Sequence, residues 1–279
     1  MAVKLLIDSA SDITKKEAEN LGMYFISEII TFGSTDYLDG DELLSYEFYE
    51  KLETLEFPKT SQIVPARFKK VFKELTEDGS DLIVITMSSK LSGTYLSALN
   101  AKRDFDNVYV VDSLNASLGE RLLCLHAKSL IDQGLDALSI YEQLECDKYK
   151  VNFLAVVNTL EYLKKGGRVS ATAAFAGELL SIKPIVSVFN GEVNIIGKTI
   201  GIKKANKFIN NQIEKLGGIN FSMPYGVIYS GNEDSILQRY LKDSEKIFDQ
   251  RGEVKKYVLG STIGSHIGPG SFGVAFFDK

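Results

Sequence analysis

Tryptophan is absent from these 279 residues, and proline, methionine, cysteine and histidine are scarce at five, four, two and two. Each shortage excludes something. Cys124 and Cys146 are too few for a disulfide framework and lack metal-ligand spacing, so they are expected to be reduced thiols of a cytoplasmic protein. His126 and His266 have no partner carboxylates at ligand spacing, so no metal site and no metal cofactor is expected. No apolar run approaches the roughly 18 residues that cross a bilayer, and stable membrane insertion is not expected. The opening stretch 1–8 is too brief and wrongly flanked for a signal peptide. With a net charge of −5 and no dense Lys/Arg stripe, the chain lacks the footprint of a nucleic-acid binder. None of the Ser-bearing turns at Ser9, Ser89 to Ser92 and Ser113 carries G-x-G-x-x-G or G-x-x-x-x-G-K-[ST], so bound NAD or ATP has no local support.

What is present is an ordinary globular composition, 44% hydrophobic and 25% charged, long enough for two domains. The first half reads as strand, polar turn, helix, repeated. Strands are expected at 3–7, 24–32, 82–86 and 108–111, polar loops at 36–41 and 59–62, and helices at 13–21, 43–55, 66–76, after 94, 117–133 and 137–146. That alternation predicts a parallel sheet covered on both faces, with its ligand edge at the carboxyl ends of the strands. Beyond residue 150 the character changes. Strands at 151–157, 226–230, 253–258 and 272–277 accompany a hairpin, 185–189 with 193–196, joined by Asn190-Gly191. Helices are expected at 158–165, 203–216 and 233–248, with an Ala-rich buried helix at 171–182 and a glycine-rich loop at 260–270. The fold class is therefore α/β: an N-terminal parallel-sheet three-layer domain over 1–150 and a C-terminal mixed-sheet α/β domain over 151–279.

Three segments carry candidate chemistry. Met87 to Tyr95 follows the most strand-like run and precedes a helix, so its hydroxyls and amides face a helix N-terminus, a natural anion site. The bland alternative is simple helix capping by Ser and Thr. His266 lies in Gly264-Ser265-His266-Ile267-Gly268-Pro269-Gly270, whose glycines and proline steer the backbone tightly, either as a wall of a site or as an inert connection. Lys164-Lys165-Gly166-Gly167-Arg168 reads as the basic end of a helix or as a docking patch for an acidic partner. A serine nucleophile with His266 as base would suit an esterase or thioesterase, but G-x-S-x-G and an orienting acid are missing.

Together, Asp8-Ser9-Ala10-Ser11-Asp12, Thr60-Ser61-Gln62, Ser89-x-Leu91-Ser92-Gly93-Thr94-Tyr95, Val111-Asp112-Ser113, Leu160 to Arg168 and His266 to Gly270 resemble the DegV family of fatty-acid-binding proteins. The resemblance spans the chain in family order. It implies a carrier without catalysis of its own or any bound cofactor, which holds one long-chain fatty acid and presents it to a separate ATP-dependent fatty acid kinase. The acyl-phosphate made there would feed phospholipid synthesis. By motif match, Thr60, Ser61, Ser92, Gly93 and His266 would surround the carboxylate, and Arg168 would face the kinase. Tunnel walls are expected at Ala173, Ala174, Phe175, Gly177 and Leu180 from their apolar character. The chain departs from the family pattern at Ile63-Val64-Pro65-Ala66 and at Leu96. A relation to the substrate domain of dihydroxyacetone kinases keeps a small-carbonyl binder as a further alternative.

Overall fold

The structure, a computed structural model, describes residues 2–169, 182–248 and 254–279. The first half of the chain supplies β1 (Val3–Asp8), β2 (Tyr24–Ile26), β3 (Ile29–Phe32), β4 (Thr35–Leu38), β5 (Lys59–Ser61), β6 (Asp81–Thr86) and β7 (Val108–Asp112). Four of these form a parallel sheet in the order β2-β1-β6-β7. Its apolar runs are buried on both sides, as a sheet flanked by helices requires. Leu6, Leu82, Val84, Val108 and Val110 pack on one side with Phe68 and Phe72 of the helix Pro65–Thr76. Leu5, Ile7, Ile83, Ile85 and Val111 face the other way, into the largest core of the molecule.

The second half adds β8 (Val151–Val156), β9 (Ile182–Phe189), β10 (Glu192–Ile200), β11 (Tyr225–Tyr229), β12 (Lys256–Val258) and β13 (Phe272–Phe277). They make one mixed sheet, β10-β9-β8-β13-β11-β12, antiparallel except for β11 with β12. Strict alternation along β8 sends Phe153 and Ala155 to the core shared with the parallel sheet, and Leu154 and Val156 to a separate core. That second core is closed by the helices Ile202–Lys215 and Ser235–Asp243. Between the sheets runs the buried helix Ser117–Asp132, whose Leu118, Leu122, Leu123 and Ala127 join the shared core. Among the described residues, no helix is long and apolar enough to cross a membrane.

Several expectations are corrected. The strand expected at 24–32 is two strands: the chain leaves the parallel sheet at Ser27-Glu28, both buried, and β3 joins a small antiparallel sheet, β4-β3-β5. Neither glycine nor proline marks that break. The loops expected at 36–41 and 59–62 contain β4 and β5, edge strands whose polar residues imitate loop composition. The helix expected at 233–248 is divided at Ser244. The loop expected at 260–270 is the helix Ser261–Ile267. Its residues, Ser261-Thr262-Ile263-Gly264-Ser265-His266-Ile267, are all weak helix formers and conceal it, and its end amides are held by the first half of the chain instead. The helix expected at 171–182 lies outside the described residues except for Ile182, which opens β9.

Candidate functional site

Asp8 starts the assembly of the site. From the end of β1 its Oδ2 accepts the Met87 amide at 2.8 Å and its Oδ1 the Ala10 amide at 3.0 Å. Asp112, ending β7, accepts the amides of Ser89 and Leu114. The stretch 87–94 is thereby pinned at the carboxyl edge of the parallel sheet, as the alternation of elements predicted. Ser88 ties it to the other half, donating its hydroxyl to the Gly191 carbonyl at 2.8 Å in the β9-β10 turn. Gly93 caps the helix Thr94–Lys102, and the Ser92 Oγ accepts the Thr94 amide at 3.2 Å.

Thr60 and Ser61 are fixed by pairing with β3, Thr60 opposite Ile30 and Ser61 opposite Ile29. His266 comes from the helix Ser261–Ile267, whose N-terminus is clamped by two buried carboxyls of the first half. Asp12 takes the Gly260 amide at 2.8 Å, and Asp39 takes the amides of Ser261 and Thr262 and the Thr262 hydroxyl at 2.6 Å. Such end amides have no partner within their own helix. The clamp aims the imidazole so that Thr60 Oγ1 and His266 Nε2 stand 3.0 Å apart. The ring is mostly shielded, and burial, assisted by the Arg168 charge, lowers its pKa to about 4. His266 is therefore neutral at pH 7. Its Nδ1 is buried with no hydrogen-bond partner and lies against Gly166.

These residues surround a cavity of about 250 Å³ between the two large sheets. Thr60, Ser61, Gln62, Ser92, Gly93 and His266 line its polar part. All five residues expected at a head group, Thr60, Ser61, Ser92, Gly93 and His266, are thus brought to one cavity. Its apolar walls come from β8, β9, β11 and the helix Ser261–Ile267: Phe153, Ala155, Val186, Val188, Ile228 and Ile263. The expected tunnel residues Ala173, Ala174, Phe175, Gly177 and Leu180 lie outside the described residues. Sequence reasoning missed the strand residues because inward-facing valines on a sheet look the same whether they meet a core or a cavity. It also missed Glu28, a wall residue that is 2% exposed. A lone acid between Ile26 and Ile30 was the available signal.

Arg168 is exposed at the rim, where its Nε donates to the Leu91 carbonyl at 3.2 Å and its Nη1 to the Gly166 carbonyl at 2.5 Å. Lys164 is also exposed, and Lys165 is paired with Glu161 at 2.6 Å. His126 is structural, buried and 2.9 Å from Asp147. Cys124 is buried and Cys146 exposed, neither bonded to the other. Among the described residues, no group of three or more His, Cys, Asp or Glu side chains is placed to hold a metal ion.

Chemically, the polar part offers hydroxyl and amide donors without a paired cation, suited to satisfying an anion's oxygens. Serine is not paired with a base: Ser92 Oγ lies 3.1 Å from Thr94 Oγ1, whereas His266 contacts Thr60. A Thr-His contact resembles a nucleophile with its base, but no carboxylate orients the ring through Nδ1, and a nitrogen of such low basicity is a poor proton acceptor at neutral pH.

Comparison with known proteins matches the model of the DegV family, described as uncharacterised proteins, over residues 2–279. A DegV domain-containing protein of Caldanaerobacter subterraneus is 30% identical, with 99% of each chain covered. A structure from Thermus thermophilus, described as the fatty acid binding of a DegV family protein, has a TM-score of 0.89 at 31% identity and covers both chains completely. DegV of Bacillus subtilis, described as a fatty acid binding protein, has a TM-score of 0.85 at 29% identity, again over 100% of each chain.

Proposed function

Since the chain belongs to the DegV family, we propose that it is a carrier that binds one long-chain fatty acid, with the carboxylate among Thr60, Ser61, Ser92, the Gly93 amide and His266. The observation that carries this reading is the cavity, which joins the hydroxyl-bearing residues Thr60, Ser61 and Ser92 to apolar strand residues such as Val186 and Ile228. At about 250 Å³ the cavity is more than ten times the roughly 10–15 Å³ that admits a single water, room for an extended ligand. About 15 buried methylenes at ~0.8 kcal/mol each offer on the order of 12 kcal/mol before ordering costs, so affinity comes from the chain. The carboxylate needs donors because a bare buried charge is costly. Hydroxyls and an amide supply them without locking it into an arginine pair, which leaves it reactive. On this reading residues 1–150 form a domain that supplies most of the head-group site, and residues 151–279 form one that supplies most of the apolar chamber.

The finer part of the reading is that a separate ATP-dependent kinase phosphorylates the bound carboxylate for phospholipid synthesis, with exposed Arg168 on the docking face. It is supported by the family resemblance and by the position of Arg168 at the cavity rim. The test is to extract the purified protein with organic solvent and weigh what is released. A fatty acid is expected, and an empty extract from a protein that cannot be loaded overturns the carrier reading. Arg168→Glu should retain the fatty acid yet fail to pass it to a kinase, and equal transfer by wild type and variant would remove Arg168 from the docking face.

A further inference from the structure

Glu28 stands where β2 hands over to β3, in the wall of the cavity and behind Ser92. Its amide donates to Ser9 Oγ at 3.0 Å, and the Ser9 hydroxyl donates back to Oε2 at 2.5 Å. Oε1 faces Thr94 Oγ1 at 3.5 Å. Thr94 Oγ1 also receives the Ile63 amide at 3.3 Å and lies 3.1 Å from Ser92 Oγ. The Ser92 oxygen in turn receives the Thr94 amide at 3.2 Å.

The titratable groups facing Glu28 are acids: Asp8, Asp39 and Glu120, all buried. Arg67 is turned to the Ser27 carbonyl, and Arg168 and His266 lie elsewhere around the cavity. No cation contacts the Glu28 carboxyl among the described residues. Burial, reinforced by Asp8, raises its pKa well above the ordinary carboxyl value and favours the protonated form. A neutral carboxyl has one O–H donor, and a hydroxyl has one proton and two acceptor sites.

A protonated Glu28 sets a direction for the chain. With the Ser9 hydroxyl donating to Oε2, the Glu28 proton sits on Oε1 and is directed at Thr94 across 3.5 Å. Thr94 then accepts twice, from Glu28 and from Ile63, and its own proton has only the Ser92 oxygen to go to. Ser92 accepts twice, from the Thr94 amide and hydroxyl, and its proton has nowhere left but the cavity. We propose that Glu28 is a positioning residue of the head-group site: it donates to Thr94, Thr94 donates to Ser92, and Ser92 is left with its O–H aimed at the bound carboxylate. An ionised Glu28 would turn the chain round, pulling the Thr94 proton back and letting Ser92 present a lone pair to the ligand's negative charge.

This inference rests on the carboxylate reading of the cavity, and the experiment separates the two. Palmitate labelled with carbon-13 at the carboxyl is titrated into wild type, Glu28→Gln, Glu28→Met, Ser92→Ala and the Ser92→Ala/Glu28→Met double variant, each checked for folding by circular dichroism. Gln can donate an amide proton to Thr94 while its oxygen accepts from Ser9, so it is expected to match wild type in affinity and in the carboxyl shift. Met is expected to weaken binding about tenfold or more, the loss of a charge-assisted donor, and to move the carboxyl shift as Ser92→Ala does. On the Ser92→Ala background, Glu28→Met is expected to cost nothing further. An equal cost of Glu28→Met on both backgrounds, or Gln no better than Met, overturns the proposal. If Met fails to fold, the comparison of Gln with wild type decides, since a changed carboxyl shift in Gln overturns the proposal by itself. Failure of wild type to take up palmitate sinks the carboxylate reading instead.

Discussion

Gly166 and His266 touch: a Cβ on Gly166 would stand 2.1 Å from the His266 Nδ1. The contact is reciprocated one turn away, where a Cβ on Gly268 would meet the Tyr162 ring at 2.4 Å. Two glycine-bearing segments, one ending in Arg168 and one carrying His266, therefore interlock. Gly167, at φ 68°, stops the helix Glu161–Lys165, and Gly268 likewise has a positive φ of 71°. Gly166 does a different job, letting the Nδ1 edge of the imidazole come close to the chain while Nε2 reaches Thr60.

Gly166→Ala should push the ring away from Thr60. Overpacking of this kind costs about 1–3 kcal/mol, and here it falls on the 3.0 Å Thr60–His266 contact. The expected result is a modest loss of thermal stability with clearly weaker fatty acid uptake. Unchanged affinity would mean that His266 is not needed near the head group.

A similar close approach lies on the other wall, where a Cβ on Gly93 would stand 1.8 Å from Gln62 Oε1. Gln62 is held there by its amide donating to Ser97 Oγ at 3.1 Å. Gly93→Ala must displace Gln62, but the obstacle is the end of a long side chain, so the damage should be reversible. Adding Gln62→Ala should restore most of the lost affinity, a coupling of the sign seen for residues in contact. Additive losses would show that the Gly93→Ala change harms the site through its backbone.

How much of this was visible beforehand follows from where the information resides. The hydroxyls of Thr60 and Ser61, on the edge strand β5, and of Ser92, ahead of its helix, stand in polar stretches whose composition announces them. The hairpin at Asn190-Gly191 carries its own turn chemistry, with Asn190 at φ 51° and Gly191 at φ 84°. The helix bearing His266 carries almost no local signal, because its N-terminus is capped by Asp12 and Asp39 from more than 200 residues away. The break at Ser27-Glu28 is equally non-local, set by β2 joining β1 while β3 joins β5. Glu28 was hidden for the same reason: its partners Ser9 and Thr94 are brought to it only by the fold.

His266 offers a direct reporter of ligand charge. In the free protein burial and Arg168 hold its pKa down to about 4. A carboxylate arriving beside it favours the protonated ring, so the midpoint should rise on loading with fatty acid. Proton NMR can follow this cleanly, since His126 is the only other histidine. An unmoved midpoint would place the carboxylate away from His266.

The Asp12 carboxyl links the site to stability. It accepts from the Gly260 amide and from Ser117, both of which favour its charged form, yet complete burial outweighs them and raises its pKa from 3.8 to about 7. Between those values the folded protein holds a proton that the unfolded chain has lost, so this group's contribution to stability falls as pH rises through that window and levels off above it. At about 1.4 kcal/mol for each pKa unit, a rise of three units amounts to on the order of 4 kcal/mol. Asp12→Asn keeps an acceptor for Gly260 and cannot ionise. Urea unfolding at pH 4 and at pH 8 should therefore show wild type losing ground to the variant by that order across the interval. Asp8, raised by burial to about 6, contributes in the same direction to both proteins and cancels in the difference. A difference that stays constant with pH would mean that Asp12 is ionised throughout in the folded protein, with the Gly260 amide and Ser117 sufficient to hold the charge.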